Sequence, residues 1–505
     1  MQCKASAHAA RDEGPEANWR KVEAPCRQHE KGLSASDPGG VKVKRLLTIL
    51  AVLLSFTLVA AACGSDDDDS ASDDADTTQP ADAADDTADD AADDAAADDT
   101  TDDSDDAAMA EHLGDGSLGV VSIEEGDEIQ IRSLNAITGD VAFLGIPNQR
   151  GVEQAIADYG AIHGFDVSMG AGLDDLCSAD GGQAAAQTIV ADEQILGVIG
   201  TSCSGAATAA SPLISEAGMV MISGSNTSPL LTSDQAGTVG KDYQPGYYRT
   251  AHNDLFQGKA MAEYVVNVLG LTKVAAIHDG DPYTSGLSFA FGDALEDLGG
   301  EFTGIAAIAK GDSDMVPVLT ELAAGGPEAI FYPLFQPESD FMADQMRGVS
   351  GLEDVVMLSA DASLNSDFMA LPQSAGIHFS GPDTRFGENK NQSTGVTAAE
   401  VLATYEANNG ETPSAPFWGH SYDAAAMLLD AIEAASWVED GTLMVDRAGI
   451  REHLNNIRGY EGLIGLINCD DFGDCGSQKI TVIEHLDPND VQASLDNVVY
   501  EYAPS

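Results

Sequence analysis

Basic residues are scarce in this chain. Its 505 residues include 23 Lys and Arg against 84 Asp and Glu, a formal net charge of −61 at pH 7. A surface of that sign repels a phosphate backbone, which excludes nucleic acid as a partner. Aromatic residues make up only 6% of the chain, and between Gly64 and Ala108 there are none, nor any basic residue. That stretch is almost wholly Asp, Ala, Ser and Thr, with 20 Asp. It has nothing to bury, so it is expected to be disordered, and repulsion between its carboxylates should extend it into a tether. It also lacks the ligand spacing and turn glycine of a calcium loop. The seven cysteines include no paired CxxC units, which argues against structural zinc, and no cofactor or metal is expected. The one long apolar run, Leu46 to Ala62, is short for a membrane-spanning helix.

What surrounds that run gives it a meaning. Lys42, Lys44 and Arg45 precede it, and the small residues of LVAAACGS lead into Cys63 and Gly64. This is the pattern of a lipoprotein signal peptide over 41–62, cut ahead of Cys63, which would then carry the lipid. Ala60 stands where leucine is usual, with Val59 one position early; an uncleaved anchor is the alternative. Residues 1–40 are polar and hold Cys3 and Cys26, and they do not belong to such a signal. A valine codon can initiate translation in bacteria, so Val41, beside Lys42, is the expected start; peptides from upstream of it would contradict this. Residues 63–110 are then lipidated cysteine and tether, and 111–505 the folded part.

That part, nearly 400 residues, is long enough for two ordinary domains. Strand-like runs fall at Ile129–Leu134, Asp166–Met169, Val198–Ile199, Val220–Ile222, Val274–His278, Ala329–Tyr332 and Val355–Leu358. Helical patterns alternate with them: Gly151–Tyr159, Gly182–Ala191, Ala206–Ala217, Phe256–Val268, Ser285–Leu298, Met315–Ala324, Ser339–Met346 and Ala398–Asn408. The rhythm is βαβ, so the expected fold is α/β with parallel sheets.

Two of these units carry chemistry. The run Ile195–Ile199 ends in Thr201, Ser202, Cys203 and Ser204 before a helix starts, leaving amide donors in a turn suited to a carboxylate. The next strand, Val220–Ser223, ends in Gly224, Ser225, Asn226 and Thr227, at the sheet edge where ligands of open α/β sheets bind. With Cys177, these residues resemble the type I periplasmic binding proteins for leucine, isoleucine and valine, over about Glu128 to His485. The resemblance implies two doubly wound lobes joined by three crossovers, placed near Arg249–Asp254, Ser380–Asp383 and Gly476–Ile480. Lobe 1 would comprise about 127–250 and 383–476, and lobe 2 about 251–382 and 477–505. It further implies a ligand carboxylate on Ser204 and Thr227. The ammonium would meet the Ser225 carbonyl, the Thr227 hydroxyl and Asp361, where the family usually has Glu. Tyr283 and Phe335 match aromatic pocket positions, and Leu144, with Phe143 beside it, stands where relatives often have Tyr. Ser202 and Asn226 replace apolar neighbours and suggest a more polar subsite. The resemblance pairs Cys177 with Cys203. Cys469 and Cys475, in NCDDFGDCG, would close a short turn, giving two disulfides in an oxidising compartment.

Each residue also has a plainer reading. Ser and Thr after a strand are ordinary turn formers and caps, Tyr283 and Phe335 are the kind of residue that fills cores, and Asp361 suits a helix start. An enzyme is not indicated. GHSYD, Gly419 to Asp423, approaches the G-x-S-x-G elbow but has Asp423 in place of its second glycine and no strand ahead of it. His278, ending a strand beside Asp279, reads as structural. The expected activity is capture of an amino acid, most simply branched-chain or aliphatic, for an ABC permease, by a monomer lipid-anchored outside the cell membrane. The alternatives are a ligand-binding sensor component, or a binder of urea, short amides or aromatic acids. The acidity suits high salt, where screening relieves self-repulsion, or simply solubility.

Overall fold

The computed structural model describes residues 112–504. The proposed start at Val41, the signal segment, Cys63 and most of the Asp/Ala tract lie outside them.

Two parallel sheets organise the chain. The first contains β1 (Ile129–Asn135), β2 (Val167–Ser168), β3 (Leu173–Asp174), β4 (Ile195–Gly200), β5 (Val220–Ser223) and β6 (Tyr247–Arg249), in spatial order β2-β1-β4-β5-β6 with β3 also on β1. The second contains β7 (Lys273–His278), β8 (Glu301–Ala307), β9 (Ala329–Phe331), β10 (Val356–Ser359), β11 (His378–Pro382), β12 (Ile480–Glu484) and β13 (Val498–Tyr502). Its order is β13-β12-β11-β10-β9-β7-β8, with only β12 and β13 antiparallel to their neighbours. Twelve α-helices accompany them among the described residues: α1 (Ala142–Tyr159), α2 (Ala179–Val190), α3 (Ser204–Glu216), α4 (Asp254–Glu263), α5 (Pro282–Asp297), α6 (Val316–Ala323), α7 (Glu338–Gln345), α8 (Ser366–Met369), α9 (Ala398–Asn409), α10 (Trp418–Ala434), α11 (Arg447–Asn455) and α12 (Val491–Leu495).

Successive strand residues point to opposite faces, and here both faces are covered. In β4, Val198 packs with Ile214 of α3 and Ala186 of α2, whereas Ile199 joins Val152 of α1 and Leu428 of α10. In β9, Ile330 packs with Leu319 and Met342, and Phe331 with Leu287 and Phe291. This double covering explains why the strands read as continuous apolar runs. The chain is thus α/β with two doubly wound lobes. Across α1 and α10 the backbones meet closely: a Cβ on Gly151 would lie 2.4 Å from the Trp418 carbonyl oxygen.

Helix starts follow local capping chemistry. Ser178 caps α2 through the Gly181 amide, Asp281 caps α5 through the Tyr283 amide with Pro282 at the first turn, and Thr397 and Glu400 form a capping box on α9. Several boundaries differ from the sequence pattern. Helix α1 begins nine residues earlier than expected, at Ala142, although Gly145 and Pro147 lie in it; Pro147 lies past the first turn and cannot donate to the Phe143 carbonyl, which accepts from Ser414 Oγ at 2.6 Å instead. The helix expected to reach Val268 is α at Asp254–Glu263 and then a wider π turn over Tyr264–Leu269. Strand β8 escaped notice because its residues are half-buried at the sheet edge and give no apolar run. No helix among the described residues is long and apolar enough to cross a membrane.

Candidate functional site

The C-terminal ends of β4 and β5 lead into two loops that interlock. Ser223 Oγ accepts from the amides of Ser225 (3.1 Å) and Asn226 (2.8 Å) and donates to the Thr201 carbonyl (2.8 Å). Asn226 Nδ2 donates to that same carbonyl at 3.0 Å, while its Oδ1 accepts from Tyr247 Oη at 3.1 Å. Ser225 Oγ donates to the Ser202 carbonyl (3.0 Å) and accepts from Asn148 Nδ2 (3.0 Å). Ser202 Oγ donates to Asn135 Oδ1 (3.0 Å) and accepts from the Ala136 amide (3.1 Å). The Ser202 and Asn226 side chains are thus hydrogen-bonded within the lobe, where they tie the two loops to the scaffold. Below the first loop, Asp175 accepts from the amides of Ser202 (2.6 Å) and Cys177 (2.7 Å), and burial pushes its carboxyl up to about 7. A Cys177–Cys203 disulfide closes the same loop, and a second disulfide joins Cys469 to Cys475.

The candidate ligand residues occupy the ends of this scaffold. Helix α3 opens at Ser204, whose Oγ accepts from the Ser228 amide at 3.3 Å. Thr227 is buried, and its hydroxyl has no hydrogen-bond partner of good geometry. From the other lobe, Asp361 follows β10 in a short 3-10 turn, and its Oδ1 accepts from Gln257 Nε2 (2.6 Å) and Tyr283 Oη (3.1 Å). Burial, opposed by those bonds, raises its carboxyl to about 6. The Tyr283 and Phe335 rings lie 5.3 Å apart, and both share one apolar cluster with Leu144 and Cys203 of the first lobe. The fold thus brings residues from both lobes to one place.

Three neighbours escaped the sequence reading. Asp254, at the first turn of α4, is fully buried, and neither carboxyl oxygen has a hydrogen-bond partner of good geometry. Burial first, and the Asp361 charge next, hold its carboxyl well above the usual range, while the Thr227 hydroxyl and Arg249 pull the other way. Gln257, one turn on, links Asp361 to His252 (Oε1 to Nε2, 2.6 Å), and burial holds that imidazole at about 4. Asp281 is also buried and raised, by burial first. The signal lay in HNDLFQG: Asn253 caps the helix, and Asp254 and Gln257, three apart, share a helix face. Two of these carboxyls, Asp361 and Asp254, converging beside the Thr227 hydroxyl, suit a cationic group with hydrogen-bond donors.

The groups considered for catalysis have other work. Asp423 accepts from the amides of Leu463 and Ile464, Ser421 lies within α10 against Gly224, and His278 Nδ1 accepts from the Gly280 amide at 3.1 Å.

Residues 128–481, which include every one of these site residues, match the periplasmic binding protein family. The chain belongs to that family. It is an extracytoplasmic solute-binding protein and not an enzyme. The Leu/Ile/Val-binding protein homolog 3 of Brucella melitensis is 27% identical over 360 residues, which are 71% of this chain and 91% of that one. Among solved structures, the leucine binding protein of Thermotoga maritima superimposes with a TM-score of 0.63 at 24% identity, over 74% of this chain and 99% of its own. An R. palustris solute binding protein in complex with benzoate gives 0.59 at 16% identity, over 75% and 98%. These likenesses show the fold, and the fold alone does not choose the ligand.

Proposed function

We propose that this binding protein captures an α-amino acid, most simply a branched-chain or aliphatic one, between its lobes and delivers it to an ABC permease from a lipid anchor at Cys63. The single observation that carries the amino-acid reading is the buried pairing of opposite needs. Ser204 and the start of α3 offer donors to a carboxylate, and across the cleft Asp361 and Asp254 offer acceptors to an ammonium. Desolvating a zwitterion is costly unless both its charges are met. Leu144, Tyr283 and Phe335 then supply an apolar wall for an aliphatic side chain. The segments Arg249–Asp254, Ser380–Asp383 and Gly476–Ile480 would act as the hinge, and ligand contacts from both sides would favour the closed form. The names of the Brucella and Thermotoga relatives support this ligand class. The benzoate-binding neighbour marks the second reading, an aromatic or simple carboxylic acid, for which Asp361 and Asp254 would have no cation to meet.

The pH dependence tests this reading. In the ligand-free protein Asp361 titrates near 6, above its unfolded value. Its contribution to stability is therefore present below about pH 4 and lost as the pH rises through about 6. An ammonium binds the ionised carboxylate, so its affinity runs the opposite way: leucine should bind about tenfold more weakly at pH 5 than at pH 7.5. Calorimetric titration across that range measures it, and an affinity that is flat or rises toward acid would exclude an ammonium partner at Asp361.

A further inference from the structure

Outside the ligand shell, one cation reaches from the second lobe to the first. Lys310 lies in the loop after β8, and its Nζ donates to the Cys177 carbonyl at 3.1 Å. The same Nζ stands 3.5 Å from Asp281 Oδ2 and 5.8 Å from the centre of the Phe335 ring. Asp281 caps α5 through the Tyr283 amide, and it also presses on the first turn of α3, where a Cβ on Gly205 would lie 2.4 Å from Asp281 Oδ2. Cys177 and Gly205 belong to the β4-side scaffold, Lys310 and Asp281 to the β7-side lobe. The Cys177–Cys203 disulfide holds the two halves of this landing place together, one carbonyl at Cys177 and one bare helix turn two residues past Cys203.

From this geometry we propose that Lys310 and Asp281 form an interlobe latch, made only when the cleft is closed, that lowers the rate at which bound ligand escapes. Lys310 is here a positioning residue, with no contact to the ligand. The carbonyl of Cys177 receives the ammonium, and the neighbouring carboxylate keeps that ammonium aimed. The contact draws the lobes together because parting them strips Nζ of the Cys177 carbonyl, while the Lys310–Asp281 pair, within one lobe, stays and keeps the ammonium in place. Since Lys310 remains 46% exposed at its side chain, solvent screening keeps the effect modest, about tenfold in ligand dissociation. Such a contact acts mainly on the off-rate.

This inference rests on ligand capture between the lobes, and its test separates the two. In the full chain, Lys310→Met should release leucine about tenfold faster than the wild type with an unchanged association rate. Lys310→Arg should restore slow release, and the ligand-free melting temperature should not move, because a contact confined to the closed form adds little to the open one. An unchanged dissociation rate in Lys310→Met overturns the latch, as does a faster release matched by an equal loss of ligand-free stability, which would mark a contact present in both forms. If the wild type does not bind leucine, the proposed ligand fails and the latch is read with benzoate or acetamide, whichever the protein binds: faster release from Lys310→Met supports it, and unchanged release overturns it.

Discussion

Replacing Asp361 by Ala should weaken leucine binding by about thirtyfold or more without destabilising the ligand-free fold. Truncating one partner of a buried, hydrogen-bonded charge pair costs roughly 2–5 kcal/mol, much of it from leaving the other charge unpaired, and about 1.4 kcal/mol is tenfold in affinity. In the complex the orphaned charge would be the ligand ammonium, left with Asp254 and the Thr227 hydroxyl. In the ligand-free protein the balance reverses. Burial already raises Asp361 to about 6, so at neutral pH its ionised form opposes folding, and removing it should leave the melting temperature level or higher. Calorimetry and a thermal melt on one sample separate these effects. A variant that binds as the wild type does would place Asp361 outside the ammonium site, and one that fails to fold would make it a scaffold residue.

Asp474→Ala should have the opposite profile: a large loss of stability, about 3–5 kcal/mol, whatever the ligand. Its partner Arg249 is fully buried at the end of β6, where Nε meets Asp474 Oδ1 and the other nitrogens donate to Thr232 Oγ1 (2.7 Å) and the Ser228 carbonyl (2.8 Å). Asp474 Oδ2 also accepts from Thr232 Oγ1 (2.9 Å) and Asn253 Nδ2 (3.1 Å). Removing the carboxylate leaves a guanidinium in the interior with no counter-charge in contact, the costly way to break a buried pair. The Cys469–Cys475 turn delivers Asp474 to this position: Asp470 Oδ1 accepts from the Phe472 and Asp474 amides, and the Arg249 amide and carbonyl pair with Gly473 and Cys475. The shift in urea midpoint reports the loss. Less than about 1 kcal/mol would mean that water reaches Arg249.

The sequence shows some of these features plainly and conceals others, for physical reasons. β4 and β5 are legible because strands covered on both faces are unbroken apolar runs, and the hydroxyl residues after them because loops at that edge carry ligands. Ser202 and Asn226 look like pocket residues in the sequence because polarity beside a ligand loop is ambiguous; only the partners Asn135, Thr201 and Tyr247, tens of residues away or more, show which hydrogen bonds those groups make. Asp254 looks like an ordinary helix-start acid, favourable there at almost any surface. Its burial is a property of the assembled lobes, as are Gln257 beneath Asp361 and Lys310 over Phe335. The edge strand β8 and the long α1 were obscured by weak patterning and by Pro147.

The most direct test of the amino-acid site is a thermal-shift screen of the protein against amino acids, urea, short amides and aromatic acids, at low and high salt. Binding to the native state raises the melting temperature by mass action, by RT ln(1 + [L]/Kd) in free energy. The predicted result is a selective rise with an aliphatic amino acid that is lost in Asp361→Ala and in Ser204→Ala. A rise with benzoate or an amide, undiminished in Asp361→Ala and with no response to any amino acid, would contradict it.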